Sequence, residues 1–233
     1  SRQMFAALVP LLAPRFTVIA YDQRDCGDTA GPESGPTLAD LADDARQLID
    51  ALGLGRAHVF GSSYGGRVAQ ALALRHPQVV DRLVLGSTWP LPDAYEALCP
   101  DAPQLAALRR QLPASAGELA TWFFPEAFLQ QRPELRSLFA NARPESARSA
   151  RRAATVQATL AQDAAAITAP TLLLAGELDR VVPPTVTLSM ATRIRGAQTA
   201  LLPGVGHATA LQAPELLARH LVAFLRGQTL HEE

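Results

Sequence analysis

The stretch best suited to chemistry is Gly61-Ser62-Ser63-Tyr64-Gly65, which fits the pattern G-x-S-x-G. Val59 and Phe60 precede it, and Arg67-Val68-Ala69-Gln70-Ala71-Leu72 follows, so the segment reads as strand, tight turn and helix. The glycines allow a sharp turn that leaves the Ser63 hydroxyl exposed at the rim of a sheet, with the Tyr64 backbone N–H directed where an oxyanion would form. A serine hydroxyl is a weak nucleophile unless an imidazole takes its proton while a carboxylate orients that imidazole. A G-x-S-x-G alone matches unrelated turns, so its meaning depends on the elements around it.

Those elements alternate. Arg2 to Ala13 puts Met4, Phe5, Leu8, Leu11 and Leu12 on one helical face, and Phe16 to Tyr21 is a β-branched and aromatic run expected to be a buried strand. Thr37 to Leu54 is the clearest helix: Leu38, Leu41, Ala42, Ala45, Leu48, Ile49 and Leu52 form its stripe, Thr37 with Asp40 caps it, and Gly53 stops it. Strands follow at Ala57 to Phe60, Leu83 to Gly86, Pro170 to Gly176 and Thr199 to Leu202. Helices fall after Ser63, near Thr185 to Ile194, and from Pro214 to Arg226. Such alternation predicts an α/β fold with a mostly parallel sheet covered on both faces. From Trp89 to about Gln162 it stops, and this Pro-, Ala- and Arg-rich stretch reads as an inserted helical cap. The organisation expected is core over 1–88, cap over 89–162 and core again over 163–233. Arg143 to Arg152 is most simply a solvated helix face.

The 233 residues are 48% hydrophobic and 18% charged with a net charge of −1, a composition that suits one soluble domain. All the basic side chains except histidine are arginines, balanced by acids, so no nucleic-acid surface is expected. No apolar run approaches the roughly 20 residues of a membrane span, and no membrane partner is expected. Cys26 and Cys99 lack disulfide or metal-ligand spacing and read as free thiols of a reducing, cytoplasmic compartment.

Four pieces carry a family likeness: Tyr21-Asp22-Gln23-Arg24 with Gly27, the elbow around Ser63, Gly176-Glu177-Leu178-Asp179, and Gly204-Val205-Gly206-His207. On these the chain resembles the α/β-hydrolase fold family over essentially its whole length. The resemblance implies Ser63 as nucleophile, His207 as base and then acid, Asp179 as its orienting carboxylate, and Tyr64 N–H as an oxyanion donor. It calls for a small-molecule substrate and for no metal or organic cofactor. Glu177 is an alternative acid, although Asp179 lies just beyond the strand end in a loop closed by Pro183-Pro184. Of the five histidines, His58 enters a strand, His76 precedes a proline, His220 lies mid-helix and His231 is in a polar tail, leaving His207 at a strand end behind glycines.

The activity expected is hydrolysis of a small to medium apolar ester. Trp89, Trp122, Phe123 and Phe124, with Phe128, would line an apolar pocket, or form ordinary cap core. Asp25 and Cys26 depart from the glycine-rich loop usual after Asp-x-Arg, and such loops occur in methylesterase-like and prolyl-iminopeptidase-like members. The same triad also serves carbon–carbon bond hydrolases and non-catalytic relatives. The family further places two or three strands ahead of the first helix, one of which lies between the Tyr21 and Phe60 strands and leads into the second oxyanion donor. The simplest expectation is that one to two such units precede Ser1. Otherwise the Thr17 strand must close onto the Val59 strand or leave a gap.

Overall fold

Four strand-forming runs pair side by side between layers of helix, and the two central ones are the most fully buried. The computed structural model describes residues 1–140, 147–157 and 159–228. Strands β1 (Ala57–Ser62), β2 (Val80–Gly86), β3 (Thr171–Gly176) and β4 (Gln198–Leu202) form one parallel sheet in the order β1-β2-β3-β4. Helices α1 (Val9–Leu12) and α2 (Leu38–Ala51) precede the sheet, and α3 (Tyr64–Arg75) joins β1 to β2. Between β2 and β3 lie α4 (Tyr95–Leu98), α5 (Ala102–Arg110), α6 (Ala116–Phe123), α7 (Glu126–Gln131) and α8 (Ala147–Gln157), with no strand among the described residues. Helix α9 (Pro184–Ser189) follows β3, and α10 (Thr209–Gln212) and α11 (Pro214–Leu225) follow β4.

Side chains alternate across the strands, so one face of the sheet sends Leu83, Leu85 and Leu173 toward Leu41 and Ile49 of α2 and Leu72 of α3. The other sends Val84, Leu172 and Leu174 toward Leu8 and, on α11, Leu221 and Phe224. Helix α2 starts where expected: the Thr37 hydroxyl accepts from Asp40 N–H, and the Asp40 carboxylate accepts from Thr37 N–H, a reciprocal capping box.

Two elements differ from the sequence reading. The single helix expected over Arg2 to Ala13 is a 3₁₀ turn, Arg2–Phe5, followed by the short α1. Pro10 has no N–H to donate back, which stops the two from merging. The strand expected at Phe16 to Tyr21 is not a strand: Thr17 to Tyr21 run outside any helix or ladder, and Ile19 is 44% exposed. Its β-branched composition gives it strand propensity, but propensity becomes a strand only against a partner edge. Among the described residues no ladder joins it to β1, and a cavity of about 570 Å³ lies there, lined by Val18, Phe16, Val59, Phe60, Leu48 and Ile49 among others.

Polar side chains of α3 tie the helical segment to the core. Arg67, 1% exposed, donates through Nη1 to the carbonyls of Pro90 (2.7 Å) and Asp93 (3.0 Å) and lies over the Trp89 ring at 5.2 Å. Burial pulls its pKa down to about 10, so it remains a cation at neutral pH. Gln70 donates to Trp89 O and accepts from Leu91 N–H. The Arg-rich face expected over Arg143 to Arg152 falls partly outside the described residues, and where it is described it is not simply solvated. Arg151 grips the buried Asp25 carboxylate with two hydrogen bonds (3.0 and 2.7 Å), and Arg148 donates to the carbonyls of Gly27 and Thr29. An arginine pattern cannot reveal that a carboxylate more than a hundred residues away will be buried opposite it. No helix among the described residues is long and apolar enough to cross a membrane.

The hydrogen bonds from Arg151 hold Asp25 below the usual carboxylate range. A depressed native pKa stabilises fully above the unfolded value of about 4, and that stabilisation is lost as pH falls through the native value. Thermal melts from pH 7 to pH 3 should therefore show Arg151→Met melting below wild type at pH 7, with the gap narrowing below about pH 4. A gap that stays constant across this range would remove the ion pair from the account.

Candidate active site

The strand β1 ends in a turn so tight that Ser63 sits at φ 54° and ψ −124°, a region costing a non-glycine residue about 1–3 kcal/mol. Its N–H donates to Gly86 O (2.8 Å), the last residue of the neighbouring strand, and its carbonyl accepts from Gly66 N–H (2.9 Å). Close approach explains two glycines, of which only Gly61 belongs to the expected pair. A Cβ on Gly61 would lie 2.3 Å from Gly65 O, and one on Gly66 would lie 2.6 to 2.7 Å from Thr88 side-chain atoms. A Cβ on Gly65, the last position of G-x-S-x-G, would meet nothing within 4 Å among the described residues.

Asp179 lies three residues beyond β3, and His207 lies in the loop between β4 and α10. These loops interlock because Gly176 admits the backbone of the other: a Cβ there would meet Gly206 O at 2.4 Å. Asp179 is 5% exposed, and its Oδ1 accepts from the N–H groups of Val181 and Val182, both at 2.9 Å. His207 Nδ1 is 2.9 Å from Asp179 Oδ2 and 3.1 Å from Oδ1, while Nε2 is 3.0 Å from Ser63 Oγ. A carboxylate only accepts, so Nδ1 carries the proton and Nε2 of the neutral ring accepts from the Ser63 hydroxyl. Glu177, the alternative acid, instead accepts from Gly204 N–H (2.8 Å) and helps shape the His207 loop.

The other described histidines are engaged elsewhere. His58 pairs with Asp81, His76 with Asp43, and His220 with Leu216 O; His231 lies outside the described residues. Tyr64 opens α3, and among the described residues its N–H meets no protein acceptor. Cys26 lines a hollow of about 80 Å³ with Gln23, Arg24 and Tyr64 rather than joining the Ser63–His207 pair.

Of the four aromatic residues expected to line a substrate pocket, the structure brings Phe123 alone against a reacting group, edge-on to His207 at 5.3 Å. Trp89, Trp122 and Phe124 are each 3% exposed or less. Trp89 packs on Tyr95, Trp122 lies under Arg180, and Phe124 stacks on Phe128. They are core of the helical segment, because rings of that area find partners in one another sooner than in an open cleft.

Sequence reasoning missed several supporting groups. The Phe123 carbonyl accepts from Ala208 N–H (3.1 Å), and Gln212 bonds both Gly206 N–H and Gly204 O, so the His207 loop is held on both sides. Thr88 donates its hydroxyl to Ser63 O (2.7 Å) and exchanges two bonds with Thr187. Thr88 carried a weak signal, a polar residue just past an apolar strand; Thr187 carried none.

A family profile described as the alpha/beta hydrolase fold matches residues 1–214. The chain belongs to the alpha/beta hydrolase fold family. Among its relatives within this family, the "Putative carbamate hydrolase RutD" of Variovorax paradoxus is 35% identical over 92% of this chain and 83% of that protein. The protein of the same name from a Caulobacter species is 31% identical over 98% and 87%. Among solved structures, a thermophilic esterase from Thermogutta terrifontis superposes with a TM-score of 0.78 at 29% identity, covering 97% of this chain and 85% of that one. An enol-lactonase from Burkholderia xenovorans gives a TM-score of 0.80 at 25% identity, covering 97% and 87%. These likenesses support hydrolase chemistry for this alpha/beta hydrolase.

Crowding at the elbow gives a direct contrast. Gly66→Ala, pressing on Thr88, should lower stability by about 1–3 kcal/mol as over-packing does and displace Ser63, whereas Gly65→Ala should be tolerated. Melting temperatures of the two variants check this, and equal losses would contradict it.

Proposed function

We propose that this chain is a serine hydrolase that cleaves a small to medium apolar ester through an acyl-enzyme. The observation that carries the reading is the 3.0 Å approach of His207 Nε2 to Ser63 Oγ with Asp179 on the other ring nitrogen. Ser63 Oγ attacks the acyl carbon as its proton passes to Nε2, and Asp179 steadies the resulting imidazolium. The Tyr64 N–H, at the positive end of α3, donates a hydrogen bond to the developing oxyanion. His207 then protonates the departing alcohol oxygen, and the same nitrogen later takes a proton from the water that attacks the acyl-enzyme. The edge of Phe123 beside His207 favours an apolar group on the substrate next to the scissile bond.

A second reading is hydrolysis of a carbamate, favoured by the relatives at 31% and 35% identity that bear that name. Both substrates offer a carbonyl to the same hydroxyl; a carbamate that expels its alcohol leaves a carbamoyl group on Ser63, where an ester that expels its alcohol leaves an alkyl acyl.

A fluorophosphonate probe should label the wild-type protein and spare Ser63→Ala, and an unlabelled wild type would end the serine-hydrolase reading. Asp179→Asn should lower kcat by about 10⁴-fold, the scale seen when a triad carboxylate is neutralised. Initial rates on p-nitrophenyl esters, p-nitrophenyl N-alkylcarbamates and aminoacyl anilides then separate the substrate classes. Turnover confined to the carbamates would replace the ester with the second reading, and turnover confined to the anilides would overturn both.

A further inference from the structure

The Tyr64 N–H can stabilise an oxyanion only if its direction is fixed before the reaction, because a donor that must rotate into place gives back much of what it contributes. A peptide group is planar, so the carbonyl of Ser63 and the N–H of Tyr64 are two ends of one rigid plate pointing opposite ways. Whatever grips the Ser63 carbonyl aims the Tyr64 N–H. Two donors grip it: Gly66 N–H, from the first turn of α3, at 2.9 Å, and Thr88 Oγ1 at 2.7 Å.

The second grip differs in kind from the first. Gly66 belongs to the same turn as Ser63 and moves with it. Thr88 comes from beyond the end of β2, two residues past Gly86, whose carbonyl holds the Ser63 N–H. Its bond therefore ties the plate to the sheet. Thr88 is fully buried, and so is Thr187 on α9, behind the Asp179 loop. Thr88 N–H donates to Thr187 Oγ1 (3.0 Å), and that hydroxyl donates back to Thr88 O (2.8 Å).

Local backbone geometry fits the same purpose. Ser87 sits at φ 46°, like Asp25 and Ser63 a non-glycine residue at positive φ, and its N–H is held by Leu174 O at 2.8 Å. This kink turns the chain as β2 ends so that the next side chain meets the elbow. Gly66 completes the fit, since any Cβ there would occupy the space of the Thr88 side chain. Buried threonine hydroxyls commonly bond a carbonyl on their own helix; Thr88 reaches a carbonyl 25 residues away, that of the residue bearing the nucleophile.

We propose that Thr88 is a positioning residue for the oxyanion donor: its hydroxyl locks the Ser63–Tyr64 peptide plane, and Thr187 locks Thr88. The hydrogen bond to Ser63 O also polarises the peptide and strengthens its N–H as a donor. The kinetic consequence rests on the serine-hydrolase reading; the geometric one does not.

The test compares Thr88→Val, which keeps the shape and loses the hydroxyl, with Thr88→Ser, which keeps the hydroxyl, and adds Thr187→Val. In Thr88→Val the Tyr64 amide resonance should shift and its hydrogen exchange quicken. On an ester the wild type cleaves, kcat should fall about 10- to 100-fold, less than the 10²–10³ that deletion of a donor costs, with KM near the wild-type value. The inflection of the pH–rate profile should not move, because His207 is untouched. Thr88→Ser should recover most of the rate and the wild-type amide signal. A folded Thr88→Val with an unchanged Tyr64 amide or an unchanged kcat overturns the proposal, as does a Thr88→Ser as impaired as the valine variant. If Thr88→Val does not fold, Thr187→Val decides by the same two readouts, with smaller effects of the same sign expected. A wild type that neither cleaves esters nor takes the phosphonate would defeat the hydrolase reading, and the Tyr64 amide comparison would still decide the role of Thr88.

Discussion

Everything in this molecule answers to the unfavourable backbone of one residue. Ser63 holds a conformation that costs about 1–3 kcal/mol, and it persists because its surroundings over-determine it. Gly86 O takes its N–H, Gly66 N–H and the Thr88 hydroxyl take its carbonyl, and Gly61 and Gly66 clear the space. The parallel sheet is what makes this possible. It brings the ends of β1, β2, β3 and β4 to one rim, so that groups distant in the chain converge on the same few ångströms. In open α/β sheets that carboxyl rim is where ligands bind.

The parts of the fold legible in the sequence are those whose cause is local. The elbow announces itself through small residues between an apolar run and a helix, and α2 through a capping box that needs only Thr37 and Asp40. Strand β3 is legible because every one of its residues is buried, and a continuous apolar run is how such a strand reads. The likeness to a known family then pointed to Asp179 and His207, which the structure puts within bonding distance of one another and of Ser63.

What escaped reading depends on partners far away. The Phe16 to Tyr21 run has the composition of a strand but joins no ladder among the described residues. Arg151 looks like any surface arginine until Asp25 is buried opposite it. The aromatic cluster shows the same limit from the other side: its residue types suit either a pocket or a core, and only the packing separates Phe123 from Trp89, Trp122 and Phe124. Thr187 reaches Thr88 across 99 residues of chain, a relation no window of sequence displays.

The cavity beside β1 reaches the turn that carries the nucleophile. Among the described residues strand β1 forms a ladder with β2 alone, and the cavity borders its other edge. Its lining includes Gly61, Ser62 and Gly65, flanking the nucleophile, so whatever fills it bears directly on how firmly the elbow holds Ser63.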